Sequence, residues 1–305
     1  MHWKLMAKPP RGIAVLILTA SMALSGQIAA RISAPALGWL LSPDGSEVIG
    51  ITGVVDSPRD GHAFKLPEVA SRIWVSPDAS ALVALTAKEL WLIVPGSSAR
   101  QLSAAESSVS VAWDRSGNGF LVCQSDHCAE HSASGAVRGG FDTSGAASVL
   151  AYSESAGALY VRDGVATWHR ASGDVAVGEA AAAAFRPGAQ ELWVLSPNGR
   201  LSGFDANGSS AGSADLIADA IGLAVSADGN TLVAVNASSG SVFDLRTAEV
   251  NRLAFAEGVD GLWLAPGNFA VRLHESSKRP VAFWNGETGA LGWMPAAATV
   301  GEQNQ

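Results

Sequence analysis

The chain has 305 residues, of which 48% are hydrophobic and 16% are charged, and its formal net charge is −8. Disordered chains combine high charge with few apolar residues, so this composition excludes general disorder. The acidic balance also argues against a nucleic acid partner, because an acidic surface repels a phosphate backbone. The 33 glycines indicate many tight turns.

The first thirty residues have the order of a secretory signal peptide. Lys4, Lys8 and Arg11 form a basic start, residues 13–24 are an apolar run, and residues 25–30 end in small side chains. Cleavage there leaves 17 basic and 28 acidic residues and changes the formal net charge to −11. We therefore expect an exported protein, periplasmic or extracellular. The alternative is an uncleaved membrane anchor, although a spanning helix needs about 20 residues.

An eight-residue motif, here called the octet, recurs along the rest of the chain. It has an apolar residue, a polar residue, a turn segment and a second apolar residue. Pro fixes φ while Asp, Ser and Gly tolerate tight turns, so each octet predicts a hairpin. The copies are LSPDGSEV at 41, VSPDASAL at 75, WDRSGNGF at 113, FDTSGAAS at 141, FRPGAQEL at 185, VSADGNTL at 225 and LAPGNFAV at 264.

The octets start at intervals of 34, 38, 28, 44, 40 and 39 residues. Four strands in about 40 residues are the content of one propeller blade. We interpret the octet at 141 as an early copy and EAAAAAF at 179–185 as the inner strand of the fifth unit. The prediction is an all-β chain: a seven-bladed β-propeller of four-stranded antiparallel blades over residues 31–296, with a short disordered tail at 297–305. The rival fold is a pair of β-sandwiches.

The SPDG turn and the stretches VFDLRTAEV (242–250) and AFWNGETGAL (282–291) carry a likeness to known repeats. At these residues the chain resembles the WD40-like and TolB/YVTN-type β-propeller families, over about residues 31–296. The resemblance implies the fold and no particular activity, because propellers host binding, scaffolding and catalysis alike. Tryptophans at or just before octets, Trp39, Trp74, Trp113 and Trp263, are predicted to fill gaps between blades.

Both cysteines fall in the stretch CQSDHC, as Cys123 and Cys128. An exported protein meets an oxidising compartment, so we expect a disulfide across a hairpin loop. The alternative is a zinc site formed by these cysteines with His127 and His131, although the spacing matches no common zinc finger.

Loops between the second and third strands of every blade emerge on one face of a propeller, around its channel. We predict that this face, here called the 2–3 turn face, binds a ligand or a protein partner. For the loop DSPRDGHAF, the alternative is a solvated segment with an internal Asp–Arg pair. The predicted residues are Arg59, Asp60, His62, Lys88, Asp126, His127, Glu154, Arg200, Asn236, His274, Lys278 and Arg279.

The predicted function is a non-catalytic scaffold that binds a protein or a small ligand outside the cytoplasm. The inner strands PALGWL (35–40), RIWV (72–75) and IGLAV (221–225) are nearly all apolar, whereas metal-dependent hydrolysis needs converging oxygen or nitrogen ligands. No GxSxG stretch precedes a helix, and neither a P-loop nor a GxGxxG stands between a strand and a helix, so we expect no cofactor, metal or catalytic residue. The alternative is a small-molecule hydrolase of lactonase or quinoprotein type that uses the propeller channel. Membrane contact is expected only through an uncleaved signal anchor.

Overall fold

A computed structural model describes residues 36–54, 57–255, 258–266, 270–273, 281–286, 288 and 291–294. All regular secondary structure in these ranges is β-strand. The predicted signal peptide and the predicted C-terminal tail lie outside the described residues. No helix within these ranges is long and apolar enough to cross a membrane.

The strands form antiparallel sheets in chain order. The first sheet has three strands, β1 (Ala36–Leu41), β2 (Glu47–Val54) and β3 (Ser57–Lys65). Each later sheet is a meander of four consecutive strands. The second sheet is β4 (Ala70–Val75), β5 (Leu82–Thr86), β6 (Glu89–Ile93) and β7 (Arg100–Ala104), and the third is β8 (Val109–Trp113), β9 (Gly119–Gln124), β10 (His127–Ser132) and β11 (Val137–Asp142).

The remaining four sheets follow the same order. The fourth sheet is β12 (Ser148–Ser153), β13 (Gly157–Arg162), β14 (Val165–His169) and β15 (Val175–Gly178); the fifth is β16 (Ala182–Phe185), β17 (Leu192–Leu195), β18 (Arg200–Phe204) and β19 (Ser210–Asp215). The sixth is β20 (Gly222–Val225), β21 (Thr231–Val235), β22 (Ser239–Asp244) and β23 (Val250–Ala254); the seventh is β24 (Trp263–Ala265), β25 (Ala270–Arg272), β26 (Val281–Asn285) and β27 (Leu291–Met294).

Every sheet packs against the next through a buried apolar cluster. Leu90 and Phe120, for example, belong to the cluster between the second and third sheets. The last sheet returns to the first, because Phe283 is buried in one cluster with Leu40 and Ile51. The sheets therefore close into a ring, which makes the fold a β-propeller with the first strand of each sheet at its centre.

The prediction of seven four-stranded blades is wrong, because the structure has six such blades. Among the described residues, the first sheet has three strands and no fourth. Only residues 66–69 separate β3 from β4, while the fourth strands elsewhere need four to six residues plus their turns. The interval of 34 residues between the first two octets reflects this missing strand.

The stretch DSPRDGHAF (56–64) was predicted to be a loop, but strand β3 runs through residues 57–64 of this stretch and ends at Lys65. β3 pairs with β2 along most of its length, with Arg59 opposite Thr52 and Asp60 opposite Ile51. Most of its side chains are exposed, so the alternating apolar pattern of a half-buried strand is missing. Pro and charged residues are typical of an edge strand, because they discourage pairing with another chain.

The octet at 141 does not form a first hairpin, contrary to the prediction. Residues 143–147 connect β11 of the third sheet to β12 of the fourth. The first hairpin of the fourth sheet instead turns at residues 154–156, between the paired residues Ser153 and Gly157. This turn is shorter than an octet turn and has no Asp, so the motif missed it. The prediction of an inner strand within 179–185 is confirmed by β16.

The SPDG turn recurs because its side chains satisfy its own backbone. The Ser76 hydroxyl donates to Asp78 Oδ1 at 2.6 Å and accepts from the Ala81 N–H at 3.0 Å. Asp78 Oδ1 also accepts from the Ser80 N–H at 3.1 Å. The fifth octet position is left-handed, with φ of 75° at Gly45, which glycine adopts without steric cost. The turn is thus specified by local chemistry.

These turns should make the stability of the fold sensitive to acid. Hydrogen bonds from Ser226 and then Asn230 lower the pKa of Asp228 to about 2, and bonds from Ser42 and Ser46 lower that of Asp44 to about 2. A carboxyl whose pKa is lower in the folded state stabilises the fold above its unfolded pKa, and this stabilisation is lost as the pH falls from about 4 to about 2.

We expect the urea midpoint of the wild type to fall across this pH window. Asp228→Asn removes one of the responsible carboxylates, so the variant should have a lower midpoint at pH 6 and a shallower fall below pH 4. If the urea midpoints of the two proteins fell in parallel as the pH is lowered, the octet carboxylates would not be the cause of the acid sensitivity.

Candidate functional site

The first hairpin turns of the six four-stranded blades surround a cavity of about 470 Å³, here called the channel mouth. Antiparallel pairing places these turns at the end of the propeller opposite the 2–3 turns. Clefts of this size commonly hold small ligands. The lining residues are Pro77, Asp78, Asp114, Arg115, Ser116, Tyr152, Ser153, Ser155, Phe185, Arg186, Pro187, Gly188, Ala189, Ala227 and Pro266.

The third octet position supplies the rim of the channel mouth in five of the six blades. Four of these residues are small or cyclic: Pro77, Pro187, Ala227 and Pro266. The fifth is Arg115, in the turn WDRSGNGF between β8 and β9. A long cationic side chain therefore replaces a short apolar one at a single point of the rim.

Two nitrogens of the Arg115 guanidinium are buried without a partner. Its Nε and Nη2 atoms are shielded from solvent and have no hydrogen-bond partner among the described residues. Burial lowers the pKa of Arg115 from its usual value, yet an arginine stays cationic in a protein. An uncompensated buried charge is unfavourable for folding, so the chain retains this group at a cost in stability.

The other charged side chains of the channel mouth each have partners. Asp78 is held by the bonds within its own octet turn. Asp114 accepts from the Ser116 N–H at 2.8 Å and from the Glu154 N–H at 3.0 Å. Arg186 Nη1 lies 3.0 Å from Glu191 Oε2, and its Nε donates to the Gly229 carbonyl at 2.8 Å. Arg115 thus differs from all three, because two of its buried nitrogens have no hydrogen-bond partner in the part of the chain that the structure describes.

The channel mouth opens into the central channel, a second cavity of about 510 Å³. Pro77, Arg115, Tyr152 and Phe185 line both cavities. Burial, and then the charges of Glu130, Glu154 and Asp114, raise the pKa of Tyr152, so its phenol stays neutral. At the junction an arginine cation and a phenol therefore lie beside apolar surface.

The channel wall is formed mainly by the first strands, and it combines apolar side chains with polar groups, among them Arg72 and Asp260. It includes Val109, Leu150, Leu223 and Leu264. Ile221 also lines it and is 42% exposed, which is high for a large apolar side chain in the centre of a fold. The channel therefore offers apolar surface that no side chain covers.

Two of the predicted gap-filling tryptophans join neighbouring sheets directly. The Trp39 indole N–H donates to the Ala79 carbonyl of the second sheet at 2.9 Å. The Trp113 indole N–H donates to the Trp74 carbonyl at 3.0 Å, which links the third sheet to the second. The first contact joins β1 to the β4–β5 turn, and the second joins the first strands β8 and β4.

The residues predicted for the 2–3 turn face are dispersed over several sheets. Arg59, Asp60 and His62 are exposed on β3, near the end that follows β2. Asp126 lies in the β9–β10 turn, and His127 Nδ1 is 2.8 Å from Asp142 Oδ1. Arg200 begins β18 and its Nη2 is 3.4 Å from the Ser213 hydroxyl. His274, Lys278 and Arg279 lie outside the described residues.

No hydrogen bond or ion pair joins one of these predicted residues to another in the described part of the chain. Their role in binding stays a prediction. Lys88 and Asn236 lie in 2–3 turns, as expected. Glu154 was assigned to the wrong face, because it belongs to the first hairpin of the fourth sheet and lies at the opposite end of the propeller.

The predicted disulfide between Cys123 and Cys128 is present, and the zinc alternative is therefore wrong. The two residues pair directly across β9 and β10, with Cα atoms 4.0 Å apart, and both are fully buried. His131 is also buried, and its ring stacks on Phe120 with centroids 5.0 Å apart. Such cystines persist in oxidising compartments.

Sequence reasoning missed the channel mouth although a signal was present. The turn WDRSGNGF is aligned with the other octets, and Arg115 is the charged residue at a position that holds Pro, Ala or Thr in the others. In the part of the chain that the structure describes, no three His, Cys, Asp or Glu side chains come close enough to hold a metal ion.

Comparisons with known proteins show the fold and no family. No family model matches the chain, and no curated protein matches it. Solved structures do match, among them the crystal structure of a functionally unknown protein from Desulfotomaculum acetoxidans. That likeness has a TM-score of 0.61 at 10% sequence identity and covers 86% of this chain and 99% of the other. At this identity it shows the β-propeller alone, so the resemblance to WD40-like and TolB/YVTN-type families stays a prediction.

Proposed function

We propose that this protein is an exported, non-catalytic β-propeller that binds a small ligand at its channel mouth. The observation that carries the proposal is the Arg115 guanidinium on the rim of a cavity of about 470 Å³, two of whose nitrogens are buried without a partner among the described residues. A group that costs stability and lies where loops of a rigid scaffold converge is typical of a binding site. The cystine supports an oxidising compartment, and with the basic and apolar start of the chain it supports export.

The 2–3 turn face is the weaker choice for the site. Its predicted residues are exposed or paired with neighbours on their own sheet, and exposed ion pairs contribute little. The channel mouth instead combines apolar walls with a few polar groups, which is the usual composition of a small-molecule site.

The test is a ligand screen read out by thermal unfolding of purified protein. A ligand that binds only the folded state raises the transition temperature with its concentration. We expect at least one class of small molecule to raise it for the wild type. The same class should have no effect on Ala227→Trp, because an indole at the exposed rim position 227 would fill the channel mouth.

The matched control is Ala237→Trp, which places the same side chain in the β21–β22 turn of the same sheet, at the opposite end. This variant should respond as the wild type does. If every active compound stabilised Ala227→Trp and failed on Ala237→Trp, the 2–3 turn face would be the site. If purified protein contained stoichiometric calcium or zinc, the hydrolase alternative would be favoured instead.

A further inference from the structure

We infer that the ligand of the channel mouth is an amphipathic monocarboxylate, with its oxyanion at Arg115 and its apolar body in the central channel. This inference rests on the proposed function and adds the chemical class of the ligand. It draws on three features of the two joined cavities: the unused guanidinium donors, the carboxylates that already line the rim, and the uncovered apolar channel wall.

The unused donors of Arg115 call for an oxyanion. Nε and Nη2 are adjacent donors of one planar guanidinium, and this pair is the usual partner of a carboxylate in a two-bond arrangement. Neither atom has a partner among the described residues, although the carboxylates of Asp78 and Asp114 line the same cavity. Both atoms are shielded from solvent, so binding of an oxyanion requires a shift of the Arg115 side chain or of the groups that cover it. Those carboxylates are held by donors of their own turns, so a bound anion would provide what the protein does not.

The charge of the rim favours a single negative charge on the ligand. Arg186 lies 3.0 Å from Glu191, and Asp78 and Asp114 accept hydrogen bonds from backbone N–H groups. Arg115 is therefore the rim cation whose buried donors have no partner among the described residues. A phosphate would carry a second negative charge close to both aspartates, where repulsion between like charges opposes binding. A carboxylate brings one charge, which the unpaired guanidinium can take up.

The channel favours an extended apolar body. Arg115, Tyr152 and Phe185 line both cavities, so a group bound at Arg115 has direct access to the channel. The first strands of three to six residues, rising about 3.3 Å per residue, give that channel a length of roughly 15 Å. Its wall carries Val109, Leu150, Ala184, Ile221, Leu223 and Leu264. Burial of an alkyl chain there contributes favourable free energy for each methylene removed from water.

The experiment compares three probes of equal chain length by calorimetry and by the tryptophan fluorescence of the purified protein. The probes are decanoate, decanol and decyltrimethylammonium. Trp74, Trp113 and Trp263 line the channel and serve as reporters. We expect the wild type to bind decanoate at least tenfold more tightly than either other probe. Arg115→Gln should lose at least tenfold in affinity for decanoate and retain its affinity for decanol.

Two controls separate a binding effect from misfolding. Arg252→Gln removes an exposed arginine of β23, outside both cavities, and should bind all probes as the wild type does. Without ligand, Arg115→Gln should unfold at a urea concentration no lower than the wild type, because it removes an unpaired buried charge. Saturating decanoate should reverse this order, since it stabilises only the wild type.

Three results would overturn the inference. Decanoate could fail to bind the wild type, it could bind no better than decanol, or Arg115→Gln could bind it unchanged. The variant Ala227→Trp distinguishes these three results from a failure of the proposed function itself. If that variant abolished binding of a neutral compound that Arg115→Gln bound normally, the channel mouth would be the site and only the anionic class would be wrong.

Discussion

Replacement of Phe283 by alanine is expected to lower the free energy of unfolding by about 3–5 kcal/mol, because it removes a buried aromatic side chain and leaves a cavity. Phe283 is fully buried in the cluster between the last and first sheets, with Leu40 and Ile51. Phe283→Leu keeps most of the apolar volume and should cost less than about 2 kcal/mol. Urea unfolding of the three proteins measures both differences.

A double-mutant cycle tests whether this cost comes from closure of the ring. Leu40 lies in the first sheet and Phe283 in the seventh, so coupling between Leu40→Ala and Phe283→Ala reports the contact between the chain's two ends. We expect a coupling energy of about 0.5–3 kcal/mol. Strict additivity of the two substitutions would show that the last sheet does not pack against the first in solution.

Trp168→Ala is expected to have an effect of similar size, about 3–5 kcal/mol. The Trp168 ring is 1% exposed and lies between the fourth and fifth sheets, 6.0 Å from the Phe185 ring. Its indole N–H donates to the Ala156 carbonyl at 2.8 Å, within the short first hairpin of the fourth sheet. The substitution therefore removes an apolar contact between sheets and a bond that supports one turn of the channel mouth.

Trp168→Phe separates the two contributions. It keeps an aromatic ring but leaves the Ala156 carbonyl without this donor, so a smaller loss of about 1–3 kcal/mol is expected. Val165→Ala, on the same strand β14, removes a side chain that is 49% exposed and should change stability by less than about 1 kcal/mol. Equal losses for Trp168→Ala and Val165→Ala in urea unfolding would contradict the packing described for this seam.

The β-propeller could be predicted because its signal is local and repeated. The turn at Ser76, Pro77 and Asp78 is closed by side chains only two to five residues apart, so its motif is visible in the sequence. The inner strand β16 was predicted despite its alanines, because the octet that follows it fixes its place. The disulfide followed from hairpin spacing and the expected compartment.

The errors have physical causes of the same kind. β3 is an edge strand with exposed charged residues, so it has no apolar alternation to reveal it. The first hairpin of the fourth sheet has three turn residues in place of six, so the search for octets skipped it and took the β11–β12 connection instead. The second error placed Glu154 on the wrong face.

The channel mouth was not predicted, because Arg115 marks one turn in the sequence whereas the cavity depends on how turns far apart in the chain converge. Arg115 looks like an ordinary turn residue in the sequence, and its missing partners appear only when the six turns are brought together. The inner strands, by contrast, were predicted to be apolar, and they line the channel. Local chemistry thus predicts the scaffold, whereas the site depends on its closure.

A crystal structure with bound ω-bromodecanoate, phased on the anomalous scattering of bromine, tests the central claim most directly. We expect the carboxylate to lie within hydrogen-bond distance of Arg115 Nε and Nη2, and the bromine to lie inside the central channel among the first strands. A bromine peak at the 2–3 turn face, or a channel left empty at saturating ligand, would contradict it.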